Sequence, residues 1–509
     1  MRKSQRGQAL ILIALAFVGL AAFVGMAVDA GILFASIGHL RRAVDAAALA
    51  VSTQYRADVT GDELLATAKE YLALNNIDPN APTVEIKVCD LPSLPDLDPS
   101  FHDPTLCKES NQWDYDRKLV RVKAELPVDL AFLPVIGIRT VTIRAEAASE
   151  AASVDLILVL DTSESMAVDS GAGFPGCNAT NSCYPFEYVR EAAKTFIGKM
   201  YYPYDRVAIV TFDVMPHIIQ ELTTSQTDLE TAIGTTGGGG GIKLAEVGMC
   251  AIPYNPSGCL STNLAGGLGA GGDRLALPPP DGGRQEALWV VVVLSDGAAN
   301  QAADVRAVRP SPDPNPTAPL WLCPNELTGQ PASLVPTWNY PNPPNPPYGP
   351  FCRDGRVESR HAWTDFWYDV EDAAKDQADR LGCYQNSNPG RSSHCKTWDG
   401  DFGYGGAGVD DGFEALIFTI GMGPKLIVGD CDTVYYDGSD ADHTCEPDLG
   451  ERLLRYVAAV GDDGNPDTDL CASSAPGTDC GNYYFRNSAT DLDTVFDDIA
   501  KRIFTRLTH

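Results

Sequence analysis

The 509-residue sequence predicts an α/β protein built on a mostly parallel sheet, preceded by a transmembrane helix and a small α+β domain. Three observations predict it. Val154 to Asp161 reads V-D-L-I-L-V-L-D, an apolar run that suits a strand buried on both faces. Similar runs recur at Val207 to Phe212 and in the V-V-V-V-L-S that precedes Asp296, with apolar stripes at helical spacing between the strands. Ala9 to Val28 is uncharged and apolar over about the length a helix needs to cross a bilayer.

Taken in order, the chain opens with Arg2, Lys3 and Arg6 before that apolar run, a flank expected to stay in the cytoplasm and send the chain beyond about Phe34 outward. A cleaved signal peptide competes, since A-V-D-A ends at Ala30. The run is long for a signal, and the helical pattern continues through Leu33, Ile37, Leu40, Val44, Ala47 and Val51, so an anchor over residues 1–52 is preferred. Asp29 falls near the outer end of the span, where an interfacial acid or a helix-packing contact is expected rather than a functional intramembrane acid. A short amphipathic helix follows from Asp62 to Leu74. Val84, Ile86 and Val88, then Val120, Val122 and Ala124, then Val141, Ile143 and Ala145 alternate as half-buried strands do. These define a small α+β domain over 53–150, in which nothing looks catalytic.

The remaining chain, 153–509, is expected to form the large α/β domain. Its helices are predicted at Glu187 to Met200, Asn263 to Leu275, a stripe from Trp363 through Phe366, Trp367, Val370 and Ala374 to Leu381, and a closing helix marked by Leu492, Val495, Phe496, Ile499, Ile503, Phe504 and Leu507. His217 to Leu222 reads as an edge strand and Leu416 to Gly421 as a buried one. Four long loops, Ala167 to Pro185, Gln301 to Glu358, Cys383 to Gly412 and Ile427 to Asp448, separate these elements. The first two follow the Asp161 and Asp296 turns and are expected to crowd that face.

The net charge of −30 argues against nucleic acid and against a surface lying on anionic lipid. Fourteen cysteines, Cys89 to Cys480, fall into seven sequence-neighbour pairs without a Cys-x-x-Cys spacing. Local disulfides in an oxidising compartment account for them better than zinc or redox motifs.

Chemistry concentrates after the first buried strand. Asp161, Ser163 and Ser165 turn one carboxylate and two hydroxyls toward one point at a strand's carboxyl end, a set of hard oxygens suited to Mg²⁺. This Asp-x-Ser-x-Ser resembles the metal-ion-dependent adhesion site (MIDAS) of von Willebrand factor type A domains. Thr262 in S-T-N-L-A-G-G-L resembles that family's threonine, and Asp296 in V-V-V-V-L-S-D-G its second aspartate. The resemblance implies a doubly wound, Rossmann-like sheet and a metal held by Asp161, Ser163, Ser165, Thr262 and Asp296. It implies Mg²⁺, alternatively Mn²⁺ or Ca²⁺, and a protein ligand whose acidic residue completes the coordination. Glu164 departs from the family, where many members carry glycine, and adds a carboxylate beside the site.

At the other end of the chain, R-G-Q-A-L-I-L-I-A-L-A-F, A-V-D-A-G and L-R-R-A-V-D-A-A-A-L-A resemble the N-terminal region of TadE/TadG-type Tad (Flp) pilus-assembly proteins. This likeness implies pilus or pilin-like partners. Gly7 stands where a prepilin would be cleaved, yet the fifth residue after it is Leu12 rather than the glutamate of pilins.

Other motifs carry less. Gly237 to Gly241 lacks the Gly-Lys-Ser/Thr ending of a phosphate loop and reads as a flexible turn. D-D-G-N-P-D-T-D at Asp462 to Asp469 lacks the ordered positions of an EF-hand and reads as a solvated acidic turn. No His-Glu-x-x-His pair and no Gly-x-Ser-x-Gly elbow occurs, so a hydrolase is disfavoured and the protein is expected not to be an enzyme. The expectation is a single-pass membrane protein with a cytoplasmic N-terminus and an extracytoplasmic bulk, binding a partner through a divalent metal in pilus assembly or surface adhesion. The rival is a structural pilin-like envelope component whose metal only stabilises the fold.

Overall fold

The computed structural model describes residues 6–55, 59–78, 83–88, 99–103, 105–106, 118–167, 176–213, 215–244, 262–278, 280–297, 299, 301–302, 321–322, 370–384, 412–428, 448–465 and 471–506. It divides into two compact units, one of Met1–Ala152 with Phe504–His509, the other of Ser153–Ile503.

The first unit begins with one continuous helix, α1 (Arg6–Gln54). Its N-terminal part presents Ile11, Leu12, Leu15, Phe17, Val18 and Phe23 to the outside, as expected of a segment long and apolar enough to cross a membrane. Beyond it Leu40, Ala43, Val44, Ala47 and Val51 recur at three- and four-residue spacing and are buried, so the helix changes its surroundings along its length. A second helix, α2 (Gly61–Leu74), starts at a capping box in which Thr60 accepts from the Glu63 amide and Glu63 reaches back to Thr60. Three strands, β1 (Thr83–Val88), β2 (Lys118–Asp129) and β3 (Thr140–Ala151), form an antiparallel sheet in the order β1-β2-β3. Val120, Val122 and Ala124 are buried in alternation, as the two-residue period requires. Asp29 is a packing contact, one of the two roles expected for it. Its carboxylate accepts the amides of Ala131, Phe132 and Leu133, which lie in the β2–β3 connection.

The second unit is built on six strands in the order β11-β10-β7-β4-β5-β6: β4 (Val154–Asp161), β5 (Arg206–Phe212), β6 (Pro216–Thr223), β7 (Leu288–Ser295), β10 (Leu416–Met422) and β11 (Tyr483–Arg486). A two-residue pair, β8 (Gln301–Ala302) with β9 (Trp321–Leu322), lies apart from them. Every pairing in the six-stranded sheet is parallel except β5 with β6, the expected edge strand. The fold is therefore α/β with a mixed, mostly parallel sheet flanked by helices. All eight residues of β4 are buried. Ile157 and Val159 pack with Val210, Phe212, Leu264, Leu268, Leu453 and Val457 in one core, while Leu156, Leu158 and Leu160 alternate to the opposite face. Helices Phe186–Ile197 and Leu492–Arg506 meet through stacked Phe196 and Phe496.

Chain order runs from β4 to β5 on one side and then crosses to β7 on the other, so the sheet reverses direction at β4. In open sheets such a reversal opens a crevice beyond the strands' carboxyl ends.

The structure differs from expectation in several places. Helices Gln226–Ile233 and Leu449–Asp463 and strand β11 are additions to the elements expected from the sequence. The stripe containing Val370 to Leu381 is a helix, Val370–Gly382, while Trp363, Phe366 and Trp367 lie outside the described residues. The glycine-rich turn is held by close backbone approach, since a Cβ on Gly241 would fall 2.3 Å from the Gly234 Cα. Of the acidic turn, Asp462 and Asp463 end a helix that Gly464 caps in the left-handed conformation, and residues 466–469 lie outside the described set. Two expected disulfides are formed, Cys177–Cys183 and Cys471–Cys480, and Cys383 is bonded as well. The other nine cysteines, Cys89 and Cys107 among them, lie outside the described residues, as do residues 168–175 of the first long loop and most of the other three.

Candidate metal centre

Three carboxylates end three adjacent parallel strands. Asp161 closes β4, Asp213 follows β5 and Asp296 follows β7. The apolar strands cannot continue through such residues without burying unpaired charge, so each chain turns there and the acids gather at one edge.

The turn after β4 is pinned from both sides. Thr162 donates its amide and its hydroxyl to the Phe212 carbonyl, at 2.8 and 3.1 Å. Asp161, fully buried, accepts the Ser163 amide on Oδ1 at 2.9 Å and the Ser295 hydroxyl on Oδ2 at 2.6 Å. The two serine hydroxyls lie 2.9 Å apart, and Ser165 donates to Asp296 Oδ1 at 2.6 Å. One chain of short contacts thus links Asp161, Ser163, Ser165 and Asp296.

Thr262 arrives from another direction. It precedes the helix Leu264–Ala276, whose first turn is capped by Asn263 accepting the Gly266 amide at 2.7 Å. The Asn263 amide donates to the Asp213 carbonyl at 2.9 Å, tying this helix start to the end of β5. Thr262 is buried, and a Cβ added to Gly297 would come within 3.2 Å of its Oγ1, so the hydroxyl sits against the residue after Asp296. The helix itself lies close to the sheet. Gly267 leaves room for Phe212 and Val159, and Gly271 for Ile157.

Electrostatics separate the two ends of β4. Asp155, at the amino end, is fully buried between Arg206 and Arg284, both within 2.7 Å. Burial acts to raise its pKa, but the two guanidiniums win and hold it below the ordinary carboxylate range. At the carboxyl end Asp161 makes no salt bridge among the described residues. Burial pushes its pKa up to about 6; hydrogen bonds from Ser163 and Ser295 oppose this, and the negative Asp213 adds to it. A buried carboxylate beside like charge, with hydroxyls at hand and no described basic side chain against it, is the environment a divalent cation would stabilise.

The donors fit a hard divalent ion. They are hydroxyl and carboxylate oxygens, with no sulfur or imidazole among the five residues read from the sequence. Among the described residues no group of three or more His, Cys, Asp or Glu lies close enough together to hold a metal ion by itself, these three aspartates included, so the hydroxyls are needed to complete the set. Glu164 belongs to the 3-10 turn Glu164–Ala167, and its side chain lies outside the described residues.

Asp213 and Ser295 belong to this edge and are not marked by the sequence motif. Asp213 accepts the Met215 amide at 2.8 Å and lies 3.2 Å from His217 Nε2, a contact that holds the histidine pKa above its ordinary value. The signal for Asp213 is its place directly after an apolar strand, the same place held by Asp161.

A family model for the von Willebrand factor type A domain matches residues 156–247. No curated protein matches the sequence. Among solved structures, the vWF domain of the type V pili tip protein Mfa5 from Porphyromonas gingivalis aligns at 17% identity over 70% of this chain and 97% of its own, with a TM-score of 0.34. The PilB minor pilin from Streptococcus sanguinis aligns at 14% identity over 84% and 79%, TM-score 0.32. Proximal thread matrix protein 1 from the mussel byssus, with a zinc-occupied MIDAS motif, aligns at 13% identity over 70% and 46%, TM-score 0.28. The chain contains a von Willebrand factor type A domain, with Asp161, Ser163 and Ser165 inside the matched segment and Thr262 and Asp296 beyond it.

Proposed function

We propose that this chain is a membrane-anchored, extracytoplasmic binding protein whose type A domain takes a divalent cation at Asp161, Ser163, Ser165, Thr262 and Asp296 and uses it to hold a protein partner. The observation that carries the reading is the contact chain Asp161–Ser163–Ser165–Asp296, centred on a buried carboxylate that no described basic side chain neutralises. When bound, the ion supplies positive charge at the strand ends and a coordination position for an acidic side chain of the partner. The residues of this chain orient the oxygens: Thr162 and Ser295 pin the Asp161 turn, and Asn263 and Asp213 hold the Thr262 helix start. The hard donors favour Mg²⁺, with Mn²⁺ and Ca²⁺ as alternatives. The site is a binding device rather than a catalytic one.

The pilus context comes from the resemblance of the N-terminal segment to Tad pilus-assembly proteins, and pilus or pilin-like subunits are the partners it suggests. Helix α1 is the anchor, with its basic N-terminus in the cytoplasm. Protease added to intact spheroplasts tests the orientation: digestion of the type A domain supports it, and protection alongside a cytoplasmic marker refutes it. For the binding role, cells expressing wild-type or Asp161→Ala protein are scored for pili and adherence with and without EDTA. Loss of both with an intact fold supports metal-mediated binding. A second reading, a structural envelope component, draws on the repulsion between Asp161 and Asp213, which a cation would relieve to the benefit of the fold. Loss of folding in Asp161→Ala would favour it.

A further inference from the structure

The connection between β2 and β3 is built unlike a soluble turn. Phe132, Val135, Ile136 and Ile138 are all exposed within seven consecutive residues, and Val135 at 88% is the most exposed large apolar side chain among the described residues. A turn in water is normally polar, because nothing offsets the hydration cost of such a cluster. Here the fold goes further and fastens the cluster in place. The Leu130 amide donates to the Arg139 carbonyl at 2.9 Å, closing the loop at its base.

The fastening runs to α1. Asp29 is fully buried, and its two oxygens accept from three consecutive amides, Ala131 at 2.7 Å, Phe132 at 3.1 Å and Leu133 at 2.7 Å. These amides open the short 3-10 turn Leu133–Ile136, so the carboxylate both caps the turn and fixes its position on the helix. One turn earlier, a Cβ on Gly25 would fall 2.9 Å from the Phe132 Cβ, so glycine there lets the phenylalanine lie directly on the helix. At 1.5 Å per residue the run Ala9–Val28 extends about 30 Å, a bilayer's hydrocarbon thickness, and Gly25 and Asp29 stand at its far end. The loop cluster therefore meets α1 within its exposed apolar stretch, which carries Phe23, Val24, Met26 and Val28 at that level.

We propose that the loop Phe132–Ile138 is a membrane wedge: it enters the outer leaflet beside α1, with Val135 and Ile136 among the acyl chains and Arg139 at the headgroups. The proposal rests on the reading of α1 as a membrane anchor. The occupant is lipid because the patch borders the span itself, at the level where headgroups give way to hydrocarbon. Arg139, exposed directly after Ile138, suits a phosphate-bearing boundary. Asp29 is tolerated there because its oxygens are already satisfied by amides. The wedge sets the depth and tilt of α1, which a lone helix does not define.

The test uses full-length protein in phosphatidylcholine–phosphatidylglycerol vesicles carrying a phospholipid with a photoreactive diazirine near the glycerol end of its acyl chain. After illumination, adducts are mapped by peptide mass spectrometry. Lipid adducts on both Ala9–Val28 and Phe132–Ile138 are expected. Adducts on the span alone overturn the wedge and leave the anchor standing, whereas adducts on neither overturn the anchor reading itself. A Val135→Asp/Ile136→Asp variant changes two exposed residues, and should lower loop adducts about tenfold while span adducts persist. Undiminished loop adducts in that variant would overturn the proposal. Asp29→Asn should raise amide exchange at Ala131, Phe132 and Leu133, and unchanged exchange would show that the loop is not held to α1 by that carboxylate.

Discussion

Replacing Asp161 with asparagine is expected to stabilise the metal-free protein near neutral pH, while the same change at Asp155, six residues earlier on the same strand, is expected to unfold it more readily. Both side chains are fully buried. Burial raises the Asp161 pKa from 3.8 to about 6, so holding the charge above that pH costs about 3 kcal/mol. Asparagine removes the charge and forfeits about 1 kcal/mol of hydrogen bonding to Ser163 or Ser295, leaving a net gain of about 1–2 kcal/mol. Because the folded pKa of this acid is raised, its cost is absent below about 4 and complete above about 6. Wild-type stability in EDTA should fall across that window, and the variant's should not. At Asp155 the shift is downward, so its contribution is complete above 3.8 and is lost as pH falls through the lower folded value. Asp155→Asn strands Arg206 and Arg284 and should cost about 3–5 kcal/mol at neutral pH. Urea unfolding of the full-length protein in detergent with EDTA, followed by circular dichroism across pH, measures both. Equal destabilisation by the two substitutions would refute the claim that Asp161 is an uncompensated charge. Excess Mg²⁺ should stabilise the wild type and leave Asp161→Asn unchanged.

Two further outcomes are expected. Gly267→Ala would bring its Cβ within 2.6 Å of the Phe212 ring and 3.1 Å of Val159, an overpacking worth about 1–3 kcal/mol, and should weaken metal binding by displacing the helix that presents Thr262; unchanged stability and affinity would contradict the packing described. The Asp213 contact raises the pKa of half-exposed His217 above 6.5, so the stabilisation from this pair is complete below that value and is lost as pH rises through the folded one. Imidazole titration by NMR should return toward the ordinary value in Asp213→Asn.

Much of the α/β domain was legible because its strands are buried on both faces and read as continuous apolar runs. Val154–Asp161 and Leu288–Ser295 stand out without any tertiary information. The helix Leu264–Ala276 was readable in spite of five glycines, which disfavour helix in isolation. Tertiary packing explains their presence, since Gly267 and Gly271 bring the helix onto Phe212 and Ile157. Strand β11 was not legible: four residues, Tyr483–Arg486, are too few to show a period. The helix Leu449–Asp463 does carry a signal, with Leu453, Leu454, Val457 and Ala458 at helical spacing, but it begins at the end of a long polar loop that obscures its start.

At the candidate site the hydroxyl-bearing motif marked Asp161, Ser163 and Ser165, whereas Asp213 is followed by Val214, Met215 and Pro216 and announces no ligand chemistry. Its place directly after an apolar strand is the one signal in the sequence, and its part becomes plain when β5 is seen beside β4. The partners of Asp29 were invisible for a simpler reason: Ala131, Phe132 and Leu133 contribute backbone amides, which any residue but proline supplies, from about a hundred positions away.

The central claim, that the strand-end oxygens form a divalent-cation site, is tested most directly by isothermal titration of MgCl₂ into chelator-stripped full-length protein, with MnCl₂, CaCl₂ and ZnCl₂ in parallel. One saturable site per chain is expected for Mg²⁺ or its hard-ion alternatives. It should disappear in Asp161→Ala and Ser163→Ala/Ser165→Ala and persist in Val135→Asp/Ile136→Asp, whose substitutions lie in the other unit. No saturable heat with any of these ions, or a site that survives Asp161→Ala, would contradict it.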